Sequence, residues 1–360
     1  MKKRIIFGIV LLFVLTFTAA CGQDTEITGK VIDVEKYGHV VLDITTEEFG
    51  QAGFELGDIV TVNAGTYTGD VPCLNGYYVD KGEYMVRIPD NHPNITVCIN
   101  YGDFSEETGT GIGDTVTITM KEKAGALELQ QISDLTYTDD REDYASDEVF
   151  ANFRPIKEGV LYRSASPVNN ERGRAPYADD LAEQAVIKTV MNLASTEEEI
   201  DEWFGAADFD SPYYQKLYEN SGVITLGLPI DFDSDEFGKG IVKGFTFLAE
   251  NEPPYLVHCN EGKDRAGFAS MVLEELMGWS EDEIVSDYMV SYQNYYGIEP
   301  GTDKFDTIAE KNVKEMMRST AGLEKGASLE GVDLKAAAEK YLKDHGMAEK
   351  TLKKLEERLK

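Results

Sequence analysis

Cysteine, histidine and cationic residues are all scarce in this 360-residue chain, and each scarcity removes a class of function. There are 4 cysteines and 4 histidines. None of His39, His92, His258 and His345 has a second His or Cys at ligand spacing, so no metal site and no other cofactor is expected. Lys and Arg number 34 against 66 Asp and Glu, a formal net charge of −32. So acidic a surface repels phosphate backbones and anionic headgroups, which excludes nucleic acid as a partner. Long apolar runs are missing as well. The one extended run, Ile5 to Ala20, follows Lys2-Lys3-Arg4 and is too short for a stable membrane span. It reads as an export leader.

What the chain does have is concentrated in one stretch, His258-Cys259-Asn260-Glu261-Gly262-Lys263-Asp264-Arg265-Ala266-Gly267. An apolar run, Tyr255-Leu256-Val257, precedes it, and a helix-like run from Phe268 to Leu273 follows. A strand, a short glycine-containing loop and a helix start together make an oxyanion site, because the first N–H groups of a helix are unpaired and its dipole is positive there. Cys259 is the candidate nucleophile, since a thiolate can attack phosphorus. Arg265, separated from it by five residues, can hold two phosphate oxygens with its planar fork. The amides from Asn260 to Arg265 are expected to face the anion, which lets Glu261 point its carboxylate away. Gly262 supplies backbone angles closed to other residues. His258 is expected to orient the loop and help keep Cys259 ionised.

This loop resembles the phosphate-binding signature of cysteine-dependent tyrosine phosphatases. Its Gly-Lys-Asp-Arg form is similar to that of bacterial atypical tyrosine and lipid phosphatases. Asn152-Phe153-Arg154-Pro155 and Gly159-Val160-Leu161-Tyr162-Arg163-Ser164-Ala165-Ser166-Pro167 carry a second likeness to that family, and the strand Ile187 to Leu193 follows in the expected order. Together these cover about residues 148–300. Two departures stand out. Ala266 replaces the usual hydroxyl residue after the arginine, which is expected to slow release of the sulfur. Asn192-Leu193-Ala194 stands where relatives often have Asp-Leu-Arg, a change expected to fall on structural support. Separately, Thr18-Ala19-Ala20-Cys21-Gly22 resembles a bacterial lipoprotein processing site, which implies lipidation of Cys21 and an anchor at the outer face of the cell membrane, with ordinary secretion as the alternative.

The resemblance implies a phosphomonoesterase working through a cysteinyl-phosphate. Phosphotyrosine or a related phosphomonoester on a small molecule, lipid or protein is the expected substrate. An inositol polyphosphate or phosphoinositide is the alternative, and a low-turnover phosphate-binding module is another. A leaving oxygen needs a proton. In the Gly-Lys-Asp-Arg relatives the loop aspartate, here Asp264, is taken as the acid. A separate acid loop is the competing source, with Asp231 preferred over Asp233 and Asp235. Lys263 is either a contact to a second acidic group on the substrate or a plain surface lysine.

Five segments are expected: a leader with lipoprotein site (1–21), a β-rich domain (22–137), an acidic linker (138–147), an α/β catalytic domain with a central sheet flanked by helices (148–304), and a C-terminal helical cap (305–360). In the β-rich domain, Ile27 to Val34 and His39 to Ile44 alternate apolar and polar residues, and Gly57-Asp58-x-Val-Thr-x recurs at Gly113-Asp114, a turn followed by a strand. A small barrel or sandwich follows. The stretch around Val97 to Phe104, with the later Gly-Asp strand, resembles the C-terminal β-barrel of S-adenosylmethionine hydroxide adenosyltransferases, which implies a shape and no activity. Cys73 and Cys98 fall in this domain, and in an oxidising compartment a disulfide between them is expected. Tyr288, Tyr292, Tyr295 and Tyr296 form an aromatic run, read as a helix packing stripe ahead of a cleft wall.

Overall fold

Alternating residues place seven strands in the N-terminal part: β1 (Glu26–Val34), β2 (Val40–Thr45), β3 (Ile59–Ala64), β4 (Tyr67–Leu74), β5 (Tyr84–Arg87), β6 (Asn94–Ile99) and β7 (Thr115–Glu122). They close into a barrel in the order β1-β2-β6-β5-β4-β3-β7. The structure is a computed structural model; it describes residues 25–89 and 92–360, in two compact units that divide between Asp134 and Leu135. The expected leader and Cys21 lie outside the described residues. Both Gly-Asp repeats form the same turn. Gly57 and Gly113 have φ of +86° and +93°. The Asp58 and Asp114 carboxylates accept from the N–H groups of Glu55 and Gly111 at 2.7 and 2.8 Å. The strands that follow are neighbours, with Val62 opposite Ile118.

The expected disulfide is not formed: Cys73 and Cys98 are both free and buried. Cys73 lies opposite Val86, whose own neighbour on β6 is Val97, whereas Cys98 lies opposite Met85. Successive residues on a strand face opposite sides of a sheet. Cys73 therefore packs into the barrel core with Val86 and Val97, and Cys98 packs on the other face with Leu74 and Met85. Sequence distance gave no access to this register.

The second unit carries a five-stranded sheet in the order β11-β10-β12-β9-β8. Its strands are β8 (Arg154–Lys157), β9 (Leu161–Ser164), β10 (Thr189–Asn192), β11 (Val223–Thr225) and β12 (Tyr255–His258). All neighbours are parallel except β8 and β9. β12 is fully buried in the middle of the sheet and delivers Cys259 at its C-terminal end, where open parallel sheets form their crevice. The helix that follows, Asp264–Leu276, is buried at every position from Ala266 to Leu276. A helix buried on every face needs cover on all sides. Part of that cover is the Glu281–Tyr296 helix, capped by a Ser280–Glu283 capping box. The rest includes the C-terminal helices Val313–Ala321 and Leu334–Asp344, with Tyr341 against Phe268.

Residues 138–147, read as a linker from their acidity, are packed onto this unit. Asp139 pairs with the buried Arg174 at 2.5 Å and with Arg172 at 3.2 Å. Arg174 also donates to Thr138 O and the Tyr144 hydroxyl, both at 3.1 Å. The counter-charge that orders the segment comes from over thirty residues downstream, beyond the reach of a local reading.

Candidate active site

The loop from His258 to Gly267 is held from outside, through its carbonyl oxygens. Glu261 O accepts from the Tyr295 hydroxyl at 2.7 Å and Asn152 Nδ2 at 3.1 Å. Gly262 O and Lys263 O both accept from Arg163 Nη2, at 2.8 and 3.1 Å. Asn260 O accepts from Ser166 N–H at 3.1 Å. A peptide whose C=O is tied outward has its N–H facing the other way. Among the described residues, none of the N–H groups of residues 260–265 is paired. Six successive unpaired donors next to a buried thiol are able to bind an anion, as the N–H groups of helix starts and backbone nests do.

Gly262 is required by this shape. Its φ is +69°, and an added Cβ would lie 2.3 Å from Ser164 O. Gly267 serves the support behind the loop, because a Cβ there would meet the Tyr288 ring at 2.6 Å and Arg163 Nη2 at 3.1 Å. Cys259 is 3% exposed at the base of the loop. Arg265, on the first turn of the Asp264–Leu276 helix, donates from Nη1 to Leu228 O at 2.8 Å, and its buried Nε has no partner. Ala266 is fully buried.

His258 differs from expectation. It is completely buried, and burial pushes its imidazole down to about 3, so it is neutral. Its Nδ1 contacts Cys259 O at 3.3 Å, and Nε2 is unpartnered. It can orient the loop, but it brings no positive charge to Cys259. The Tyr214 ring lies edge-on to it at 5.9 Å, and the Tyr214 hydroxyl accepts from Asn192 Nδ2 at 3.0 Å. Asn192 Oδ1 takes the N–H groups of Ala194 and Ser195 at 3.0 and 3.1 Å. The departure at Asn192 thus falls on the strand end that supports His258.

The two candidate acids stand in different settings. Burial raises the Asp264 carboxyl, while Lys263, Arg265 and Arg163 act against that rise. Asp231 is exposed, in the loop that Leu228 brings to Arg265, and its backbone oxygen accepts from Ser234. Asp233 and Asp235 are engaged elsewhere, with Ser319 at 2.7 Å and Lys239 at 2.5 Å. Lys263 is no surface lysine. Its Nζ donates to the Tyr296 hydroxyl at 3.1 Å and sits 5.4 Å from the Tyr292 ring centroid. Glu261 and Asp264 carboxylates lie 3.5 and 3.9 Å away. Burial opposes its charge, but those carboxylates and the tyrosines outweigh it and hold it protonated. Tyr288, Tyr292 and Tyr295 are buried as a packing stripe, and the Tyr295 and Tyr296 hydroxyls reach the loop.

Sequence reasoning assigned no role to Arg163, Asn152, Tyr137 or Asp287. Tyr137 donates to the Glu261 carboxylate and stacks on Tyr295 with centroids 4.9 Å apart. Asn152 and Arg163 lie within the second stretch of family likeness, and that was the signal available. Tyr137 and Asp287 carried none.

Residues 143–360 match the model of the tyrosine phosphatase family. The chain belongs to that family, a class of cysteine-dependent phosphatases. A Cupriavidus necator protein with a provisional tyrosine-protein phosphatase name is 40% identical over 50 residues, 14% of this chain and 18% of that protein. Among solved structures, a cysteine-to-serine form of Pseudomonas aeruginosa TpbA in complex with pTyr is 18% identical, covering 54% of this chain and 95% of that one, with a TM-score of 0.30. The core catalytic domain of the Saccharomyces cerevisiae PP-IP phosphatase SIW14 is 18% identical, covering 48% and 91%, with a TM-score of 0.27.

Proposed function

We propose that this chain is an exported phosphomonoesterase acting on phosphotyrosine or a related phosphomonoester through a cysteinyl-phosphate. The observation that carries the reading is the run of six unpaired N–H groups over residues 260–265, directly after the buried Cys259. In the first step the Cys259 thiolate forms the S–P bond as the ester P–O bond breaks. Asp264, its carboxyl raised by burial, gives its proton to the leaving oxygen. In the second step water forms a new O–P bond, Asp264 takes back a proton, and the S–P electron pair returns to the sulfur as phosphate leaves. The loop amides and Arg265 stabilise the charge on the equatorial oxygens in both steps. The leader-like run from Ile5 to Ala20 and the lipoprotein-type site at Cys21 support a position outside the cytoplasm on a lipid anchor, with ordinary secretion as the alternative.

Lys263 supports a monoester over a polyphosphorylated inositol, since its ammonium is already engaged by Tyr296, Glu261 and Asp264. Ala266 favours a second reading, a slow phosphoenzyme that releases one equivalent of product and stalls. Steady-state hydrolysis of p-nitrophenyl phosphate in EDTA tests both. Multiple metal-independent turnovers, lost in Cys259→Ser and reduced about 100-fold or more in Asp264→Asn, are the expected result. A single stoichiometric burst selects the second reading. Turnover that survives Cys259→Ser removes the covalent mechanism, and an undiminished Asp264→Asn moves the acid to Asp231.

A further inference from the structure

Against the carbonyl oxygens of the loop lies a buried ionic cluster that the chemical steps do not use. Arg163 is 1% exposed, and its Nη1 donates to Asp287 Oδ2 at 2.7 Å. Arg154 Nε donates to Asp287 Oδ1 at 2.8 Å, and its Nη1 to Asn152 Oδ1 at 2.8 Å. Asn294 Nδ2 also donates to Asn152 Oδ1, at 2.9 Å, which fixes the Asn152 amide with its Nδ2 toward Glu261 O. Each member is thus held by at least one other, and the free ends of the network terminate on loop carbonyls.

We propose that Asp287, Arg163, Asn152 and Tyr295 are positioning residues that aim the loop's N–H groups by holding its carbonyls outward, with Asp287 as the lock on Arg163. The inference rests on the phosphate-loop reading above. A peptide plane is rigid, so fixing C=O fixes N–H. Arg163 Nη2 holds two consecutive carbonyls, Gly262 O and Lys263 O, and Tyr295 with Asn152 holds the one before. One planar guanidinium can bridge those carbonyls and Asp287 at once only if its orientation is fixed, and Asp287 supplies that. A buried ion pair is a poor source of stability, because desolvation offsets most of its attraction. Placement of a reacting loop is what such a pair does provide. Two guanidiniums face one carboxylate here. Burial and the neighbouring Asp287 charge push the Glu274 carboxyl up, while Arg163 and Arg154 act against that rise. Burial alone would raise Asp287, but Arg154 and Arg163 outweigh it and hold its carboxyl far below the usual range.

Tungstate, a phosphate mimic, tests the proposal in the full chain. Its dissociation constant, kcat and KM for p-nitrophenyl phosphate, and Tm would be measured for the unmutated protein, Asp287→Asn, Arg163→Lys and Tyr295→Phe. Asp287→Asn keeps the shape and removes the charge. Arg163→Lys keeps a charge and loses the fork. Tyr295→Phe removes one hydroxyl and keeps the ring packing, so it folds even where the others do not. The expected result is tungstate binding weakened and kcat lowered about tenfold or more in the first two, and about threefold to tenfold in the third, out of proportion to any change in Tm. Asp287→Glu is expected to restore part of both. Variants that lose Tm but keep tungstate affinity and kcat overturn the proposal, and so does Tyr295→Phe with unchanged constants if the other two fail to fold. Failure of the unmutated protein to bind tungstate overturns the phosphate-loop reading itself.

Discussion

The two units bury polar groups in opposite ways. The barrel core is aliphatic and aromatic, from Val31 and Val40 through Phe104 to Ile118, and its one buried side-chain oxygen without a partner, among the described residues, is on Thr96. The catalytic unit buries Arg163, Arg174, His258, Glu274 and Glu275, and leaves unpartnered atoms on Arg163, His258, Arg265, Glu274 and Glu275. The contrast is sharpest at cysteine. Cys73 and Cys98 sit among apolar neighbours, and burial pushes both thiols up, Cys98 to about 12. Cys259 is almost as buried, but the six residues after it, through Arg265, carry unpaired amides. Depth alone makes a thiol inert, whereas depth beside oriented dipoles makes a site. An ordinary core avoids unpaired buried donors, so a unit that keeps several around one sulfur has given up stability for chemistry.

The largest expected effect breaks the two cysteine environments apart. Cys259→Ser is expected to lower turnover by about 10⁴-fold or more with little change in Tm. Cys73→Ser is expected to leave turnover unchanged and to destabilise the barrel by about 1–3 kcal/mol, because its hydroxyl finds no partner among Val86, Val97 and the rest of that core. Iodoacetamide labelling followed by mass spectrometry checks the same contrast. Cys259 should label in the native protein, and Cys73 and Cys98 only in denaturant. Native labelling of Cys73 at the rate of Cys259 would erase the distinction.

Gly262→Ala gives a smaller effect that tests shape rather than chemistry. The new methyl would meet Ser164 O at 2.3 Å on a residue with φ of +69°, so the loop must shift. A displacement near an ångström is enough to lower kcat by about 100-fold, while Cys259 and Arg265 remain present. A kcat within twofold of the unmutated enzyme would show that the loop does not need this backbone.

The strand, loop and helix that carry Cys259 were legible because their periodicities change over a few residues and the chemistry fits the change. The strand read over Ile187 to Leu193 contains the observed Thr189–Asn192, and the helix-like run from Phe268 to Leu273 lies inside the Asp264–Leu276 helix. The barrel was legible through its paired Gly-Asp turns. Register was not, and the supposed Cys73–Cys98 bridge failed on it, since neighbouring strands place the two thiols on opposite faces. The clamp on the loop was invisible for a related reason. Asp287 and Arg163 are 124 positions apart, and nothing local in either segment names its partner. The acidity of 138–147 misled because a buried arginine is the counter-charge.

The smallest expected effect concerns Glu275, which has no part in the proposed chemistry. Both its carboxyl oxygens are buried and unpartnered, the nearby Thr320 hydroxyl donating to Met317 O instead, and burial pushes its carboxyl well above the usual range. A carboxyl raised in the folded state binds its proton more tightly there than in the unfolded chain. Its cost to stability is therefore absent below the unfolded value, about 4.3, and grows as pH rises through that value towards the folded one. Glu275→Gln keeps the volume and removes the ionisation. At pH 7 it is expected to stabilise the catalytic unit by about 1 kcal/mol or more, a few degrees in its thermal transition, and near pH 4 the gain should vanish. No comparable pH-dependent gain is available from the barrel core, which buries no unpaired carboxyl among the described residues. A gain equal at pH 4 and pH 7 would assign the effect to packing instead and would weaken the claim that the catalytic unit carries its buried acids at a cost.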